Sequence, residues 1–491
     1  MSIWKRKPLA LLLAEASETE KGLKRTLTAW SLIALGIGAI IGAGLFVRTA
    51  TAAAQNAGPS VTIGFIVAAI GCALAGLCYA ELSSSIPISG SAYTYTYATM
   101  GELLAWIIGW DLILEYAVGA ATVGIAWSEY LNNLLLNVLH VSPIPYEWCH
   151  SPFQHSTDGV SGIINLPAFF IVAVISLLLI KGTQESAFVN GIIVVAKVAI
   201  VVMIIIFGWH FINPANHTPY IPAPSTFTDD QGVDHSYGGI MGILGAAGTV
   251  FFAFIGFDAV STAAQETKNP KRDMPIGILG SLAICTVLYI LFAHVLTGIA
   301  TVDDFRTGGK EASVAFAIGK YMIGYKWLAN FVTVAILAGF SSVILVMLLG
   351  QSRVFYSMGK DGLLPKFFSE VHTKYKTPYK ANLAILVIVG AFAAFIPGDI
   401  VGDMTSIGTL FAFILVCISV IVLRKTEPDM KREFKTPFVP LVPILGILVC
   451  LAMIYGLGWT NWARLIGWLA IGLVVYFVYS KKNSRLNNPE K

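Results

Sequence analysis

The chain has 491 residues, of which 56% are hydrophobic and only 12% charged. Soluble globular domains average about 25% charged residues, so this composition excludes a soluble enzyme or binding module and points to an integral membrane protein. The net charge of +4 defines no partner by itself, and none of the six cysteines stands at disulfide-framework or metal-ligand spacing.

The first 28 residues open with the basic stretch MSIWKRK, but the apolar run PLALLLA is too short for a cleavable signal and leads into acidic residues. They read as an interfacial amphipathic segment, with Trp4 at headgroup level and Lys5, Arg6 and Lys7 facing anionic lipid, or as a disordered cytoplasmic tail. Twelve apolar runs follow, at 29–50, 61–86, 101–131, 163–181, 187–209, 239–266, 277–300, 327–353, 381–397, 403–424, 438–458 and 461–480. Their length matches the roughly 20 helical residues that cross a bilayer, and their continuity excludes the short alternating strands of a β-barrel. Placing the N-terminus inside puts 25 of the 32 Lys and Arg residues in inner segments, which predicts both termini cytoplasmic and a multi-pass protein of the cell membrane. The segments between spans 3 and 4 and between spans 5 and 6 are then external, as loops or short surface helices.

Span 1 contains Gly36, Gly38, Gly42 and Gly44, and span 6 places Gly256 beside Asp258. Glycine can serve close helix packing. Paired interruptions at the starts of two five-span sets, however, predict an all-α inverted-repeat transporter: residues 1–28 as a cytoplasmic segment, 29–209 as the first repeat, 210–238 as an external loop, 239–424 as the second repeat, 438–480 as two further spans and 481–491 as a tail. Unwinding frees backbone N–H and C=O groups that a zwitterion can satisfy, carboxylate on the amides and ammonium on the carbonyls. An amino acid is thus the expected ligand.

The stretches GIGAIIGAGLFV, AGPSVTIGFI, CYAELSSSIPISGSAYTYTY, FFAFIGFDAVSTAAQETKNPKRDMPIGI and QSRVFYSMGKDGLLPKFF resemble the amino acid–polyamine–organocation superfamily, and GELLAWIIGWDLILEYAVG resembles its cationic amino acid transporter branch. The resemblance implies the leucine-transporter-type 5+5 inverted repeat with discontinuous helices 1 and 6. It places the substrate carboxylate on the N–H groups of Ala43 and Gly44, with Gly42 permitting the approach. It places the ammonium on the carbonyls of Ile40, Phe252 and Ile255, with the Phe252 ring as a gate. It further implies that Lys197, central in span 5, stands where sodium-coupled relatives hold their cation, with Ser341 and Ser342 of span 8 as oxygen partners. Proton symport without sodium is the coupling that follows.

A lysine at mid-membrane costs about 2.5–3.5 kcal/mol on insertion scales, so Lys197 needs compensation from that site or from an intramembrane carboxylate. Glu115 has three readings: contact with a cationic substrate, a pair with Lys197, or a protonated group in a polar niche. The resemblance implies a proton-sensing acid at Asp258, which also reads as a partner for loose backbone amides; Asp111 reads as solvated near the interior, and His294 as an isolated core histidine. No cofactor, metal or nucleic acid is implied; the partners expected are an L-amino acid, protons and lipid. A transport-silent sensor, an exchanger, or a heteromeric light chain linked through Cys149 remain as alternatives.

Overall fold

The structure is a computed structural model that describes residues 3–8, 11, 26–86, 91–156, 159–182, 187–229, 232, 234–307, 313–375 and 377–488. The greater part of the predicted amphipathic N-terminal segment, 9–10 and 12–25, and residues 87–90 of the SSSIPISG stretch lie outside the described residues.

In chain order the apolar helices are α1 (Ala29–Ile40), α2 (Val61–Ser85), α3 (Glu102–Val138), α4 (Leu166–Lys181), α5 (Ala187–Gly208), α6 (Gly239–Phe251), α7 (Pro270–Ile299), α8 (Lys326–Lys360), α9 (Tyr379–Phe395), α10 (Gly398–Thr426), α11 (Leu441–Gly456) and α12 (Trp459–Asn483). Eight helical stretches among the described residues are long and apolar enough to cross a membrane, and four shorter apolar helices, α1, α4, α9 and α11, accompany them. Local chemistry sets several ends. The Thr28 side chain accepts the Ser31 N–H at the start of α1, and Asn165 accepts the Ala168 N–H at the start of α4. Gly58, with φ +55°, ends the helical segment Gly44–Ala57 before α2 begins.

The boundaries differ from the apolar runs mainly at α7 and α8. α7 starts at Pro270, so the basic KNPKR stretch forms its cap and first turn rather than a loop, and α8 runs on to Lys360. Both helices continue past their apolar stretches, because capping and charged turns, not hydropathy, decide where they stop. The segment between α5 and α6 contains a hairpin, β1 (Ser225–Thr228) against β2 (Asp234–Tyr237), where only loops or short helices were expected.

Packing is reciprocal. α2 lies on α7, α3 on α8 and α4 on α9, while the segment after the α1 break meets the end of α6. Small residues permit the closest approaches: a side chain at Gly36 would strike Ser281, and one at Gly277 would strike Leu32, which brings α1 onto α7. The core is aromatic around the breaks, with Phe65, Phe254 and Tyr289 in one group and Tyr79, Phe257 and Phe413 in another.

Both termini dock on one end of the bundle. The Lys7 N–H donates to the Tyr97 carbonyl, the Glu102 N–H donates to the Lys5 carbonyl, and Lys5 Nζ donates to the Leu486 carbonyl. Lys7 is buried, with Nζ 2.8 Å from Asp361 Oδ1, so the expectation that it faces lipid is corrected: a carboxylate at the end of α8 compensates its charge more directly than headgroups could. Trp4 remains exposed.

Candidate functional site

The predicted break in α1 falls at Ile41–Ala43, and that in α6 at Ile255–Phe257. They meet face to face. A Cβ on Gly44 would lie 2.2 Å from Ala253 Cα, and one on Gly256 would lie 3.0 Å from the Ala39 carbonyl carbon. Gly256 also adopts φ +115°, a conformation that L side chains rarely adopt. Glycine at both points lets two unwound backbones touch without an intervening side chain.

Around this crossing stand most of the predicted site residues. Ile40, Ala43, Phe252 and Ile255 are all buried. The Phe252 carbonyl accepts the Ile255 N–H at 3.3 Å, and the Gly42 carbonyl accepts the N–H groups of Leu45 and Phe46. A small cavity adjoins the α6 break, lined by Ala39, Tyr116, Ile255, Ala259, Val343 and Met347. Apart from the Tyr116 hydroxyl, its side chains are apolar.

The Ile40 carbonyl, predicted to take an ammonium, accepts the Tyr289 hydroxyl at 2.9 Å; the same hydroxyl lies 3.0 Å from the Ala253 carbonyl. A hydroxyl has one proton to give, so the two carbonyls share it and Tyr289 bridges the breaks from α7. Sequence reasoning missed this residue, although a hydroxyl in the middle of TVLYILFAH was the available signal. Tyr289→Phe is expected to cost about 0.5–1.5 kcal/mol, the worth of one hydrogen bond, and to lower the Tm in detergent. An unchanged Tm would show that the bridge contributes nothing.

Lys197 is buried, and its Nζ donates to the Gly38 carbonyl at 2.8 Å. Its stem passes beside Gly339 of α8, where a Cβ would lie 2.8 Å from the lysine Cε. The lysine therefore touches α1 and α8 from α5. Ser341 donates its hydroxyl back to the Leu337 carbonyl one turn earlier, whereas the buried Ser342 hydroxyl has no hydrogen-bond partner among the described residues.

Glu115 sits in a π-helical turn of α3, Ile113–Val118. Such bulges concentrate at functional sites because they re-aim side chains. Its carboxyl adjoins that of Asp258, which accepts the Tyr116 hydroxyl at 2.6 Å, so three groups from two helices converge behind the α6 break. Asp111 is buried against α10 near Gly408, not solvated as expected. His294 is only half-buried, its ring 4.5 Å from that of His217 and 5.6 Å from Trp209; loop aromatics, invisible in the α7 pattern, end its isolation. Cys149 is also buried, its sulfur 3.2 Å from Asn132 Nδ2, so it is not displayed for an intermolecular disulfide.

At the end opposite the termini, buried Arg48 follows the α1 break and reaches α10. Its guanidinium pairs with Asp403 and lies 3.3 Å from Asp399, while Asn461 of α12 donates to Asp403. The β2 residue His235 donates its Nε2–H to Asp229 Oδ2 at 2.8 Å. Burial works against its charge, but Asp229 and nearby Asp403 and Asp399 outweigh that and raise its pKa. The stabilisation this gives the hairpin is complete in acid and fades as pH rises through that raised value.

The family model described as "Amino acid permease" matches residues 27–482. The branched-chain amino acid permease BcaP of Bacillus subtilis is 44% identical over 487 residues, covering 99% of both chains. A methylthioribose transporter from the same organism is 42% identical over the same length and coverage. The vacuolar cationic amino acid transporter 4 of Arabidopsis thaliana is 33% identical over 407 residues, 83% of this chain and 64% of the plant protein.

Proposed function

We propose that this chain, which belongs to the amino acid permease family of the amino acid–polyamine–organocation superfamily, is a proton-coupled importer of small neutral L-amino acids, with cationic ones at least bound. The family and its relatives make it a multi-pass membrane transporter rather than an enzyme. The observation that carries the finer reading is the crossing of two unwound helices at a glycine-lined contact. It supports a zwitterion site in which Ala43 and Gly44 offer N–H groups, Gly42 permits the approach, and Ile40, Phe252 and Ile255 offer carbonyls. Tyr289 then yields the Ile40 carbonyl to the substrate ammonium, and Phe252 covers the bound molecule.

Twelve spans in a 5+5 inverted repeat, with both termini cytoplasmic, are supported by the pairing of α2 with α7, α3 with α8 and α4 with α9, each helix against its counterpart five spans on. The apolar lining of Val343, Met347 and Ala259 favours alanine or a branched aliphatic side chain over a charged one. Glu115 and Asp258 are the acids within reach of a cationic substrate, and Asp258 is the candidate proton sensor. In this reading Lys197, tied to Gly38, holds α1 to α5 and α8 when charged and releases it on losing a proton.

Labelled L-alanine uptake into vesicles holding only this chain tests the proposal. Uptake driven by an inward proton gradient, independent of sodium and competed by branched-chain amino acids, is expected. Competition by methylthioribose alone would reassign the substrate. A sodium requirement would overturn the coupling, exchange without net uptake would make it an exchanger, and no uptake at all would favour a sensor or an obligate light chain.

A further inference from the structure

The end of α12 and the chain after it fold back beside the end of α8, on the face that carries both termini. Between them lies a cavity of about 150 Å³, lined by Gly359, Gly362, Lys366, Tyr479, Asn483 and Arg485. We propose that this cavity binds the phosphate of an anionic phospholipid headgroup, a site separate from the transport pathway described above.

Its charge is one-sided. Lys366 and Arg485 are both exposed, no carboxylate lines the cavity, and neither side chain forms an ion pair among the described residues. Asp361, the adjacent acid in the chain, is already engaged by Lys7 at 2.8 Å and by the Tyr93 hydroxyl at 2.6 Å. Two cations therefore line a partly open space with no carboxylate beside them among the described residues. The backbone is arranged for this: Gly362 has φ +78°, and a Cβ there would lie 2.3 Å from the Asn483 carbonyl oxygen, so glycine lets the tail carry Arg485 to the α8 end. The Arg485 N–H then anchors the tail by donating to the Asp361 carbonyl at 3.0 Å.

The surroundings select a lipid over a free anion. The last turns of α12, the helix that lends Tyr479 and Asn483 to the cavity, also expose Val474, Phe477 and Val478 to an apolar surround, and Lys481 Nζ stands 5.6 Å over the Phe477 ring at the end of that apolar stretch. A phosphate in the cavity would thus sit level with the end of the apolar part of α12, at the depth of a headgroup. Basic pockets beside membrane helices recognise anionic headgroups by the same combination.

Native mass spectrometry of the full-length protein, stripped of lipid and re-exposed to defined lipids, tests the assignment. Phosphatidylglycerol should be retained in preference to phosphatidylcholine, and Lys366→Gln with Arg485→Gln should weaken its binding by roughly tenfold or more, since each cation near a membrane surface is worth about fivefold. Lys425→Gln with Lys435→Gln removes the same charge elsewhere and should leave the binding unchanged. Equal loss in both double variants, or no preference for phosphatidylglycerol, overturns the site. Displacement of the lipid by inorganic phosphate would assign the cavity to a free phosphate and overturn the lipid reading. None of these outcomes depends on which substrate the transporter carries, so alanine uptake is judged separately.

Discussion

Lys197→Ala is expected to abolish accumulation of substrate against its gradient while leaving binding measurable. The ammonium is buried and 2.8 Å from the Gly38 carbonyl, with its stem against Gly339. Removing it deletes the one cationic group on α5 that reaches both α1 and α8, and with it the proposed link between a proton and the bundle's movement. The substrate contacts proposed at Ile40 to Gly44 and at the α6 break involve backbone atoms that the substitution does not touch. Equilibrium exchange of labelled alanine should therefore persist, and the ratio of internal to external alanine under an inward proton gradient should fall to about one. Vesicles of the variant that still concentrate alanine in that gradient would remove Lys197 from the coupling mechanism.

Gly44→Ala is the second large effect. Its Cβ would meet three Ala253 atoms at 2.2, 2.5 and 2.8 Å, and two of these are backbone, which cannot swing aside. Overpacking a tight core costs about 1–3 kcal/mol and sometimes more, and here the strain falls on the crossing of the two breaks. Uptake should drop to background, with a lower Tm. Gly76→Ala is the matched comparison: its Cβ finds side-chain atoms no nearer than 3.5 Å, so uptake should be near normal. Equal activity of the two variants would mean that the breaks are not held in contact as described.

Much of this was legible in the sequence because membranes impose simple rules. Continuous apolar runs announced the helices, and IIGAG and AFIGF announced where two of them unwind, since hydrocarbon tolerates irregular backbone only inside protein. Lys197 was legible from its depth alone. What remained hidden depends on partners far along the chain. Lys7 finds Asp361 across 354 residues, Arg48 finds Asp399 and Asp403 across some 350, and the Tyr289 bridge needs both breaks to be in place. Hydropathy also says nothing about where α7 and α8 stop once they leave the apolar zone. Asp111 shows the opposite failure: its place in the span suggested a solvated group, but sequence position could not reveal that α10 covers it.

The junction of the two chain ends has a consequence for biosynthesis. Residues 3–8 precede every apolar helix in the chain, yet Lys5 is held by the Leu486 carbonyl and Lys7 by Asp361, whose own carbonyl is bonded to the Arg485 N–H. All the described apolar helices lie between the two partners of this junction. The opening segment therefore cannot complete this end of the bundle until residues 485 and 486 have been made. A stop codon at Ser484 would leave all the described apolar helices whole and the Lys5–Leu486 and Arg485–Asp361 bonds of this clasp unmade.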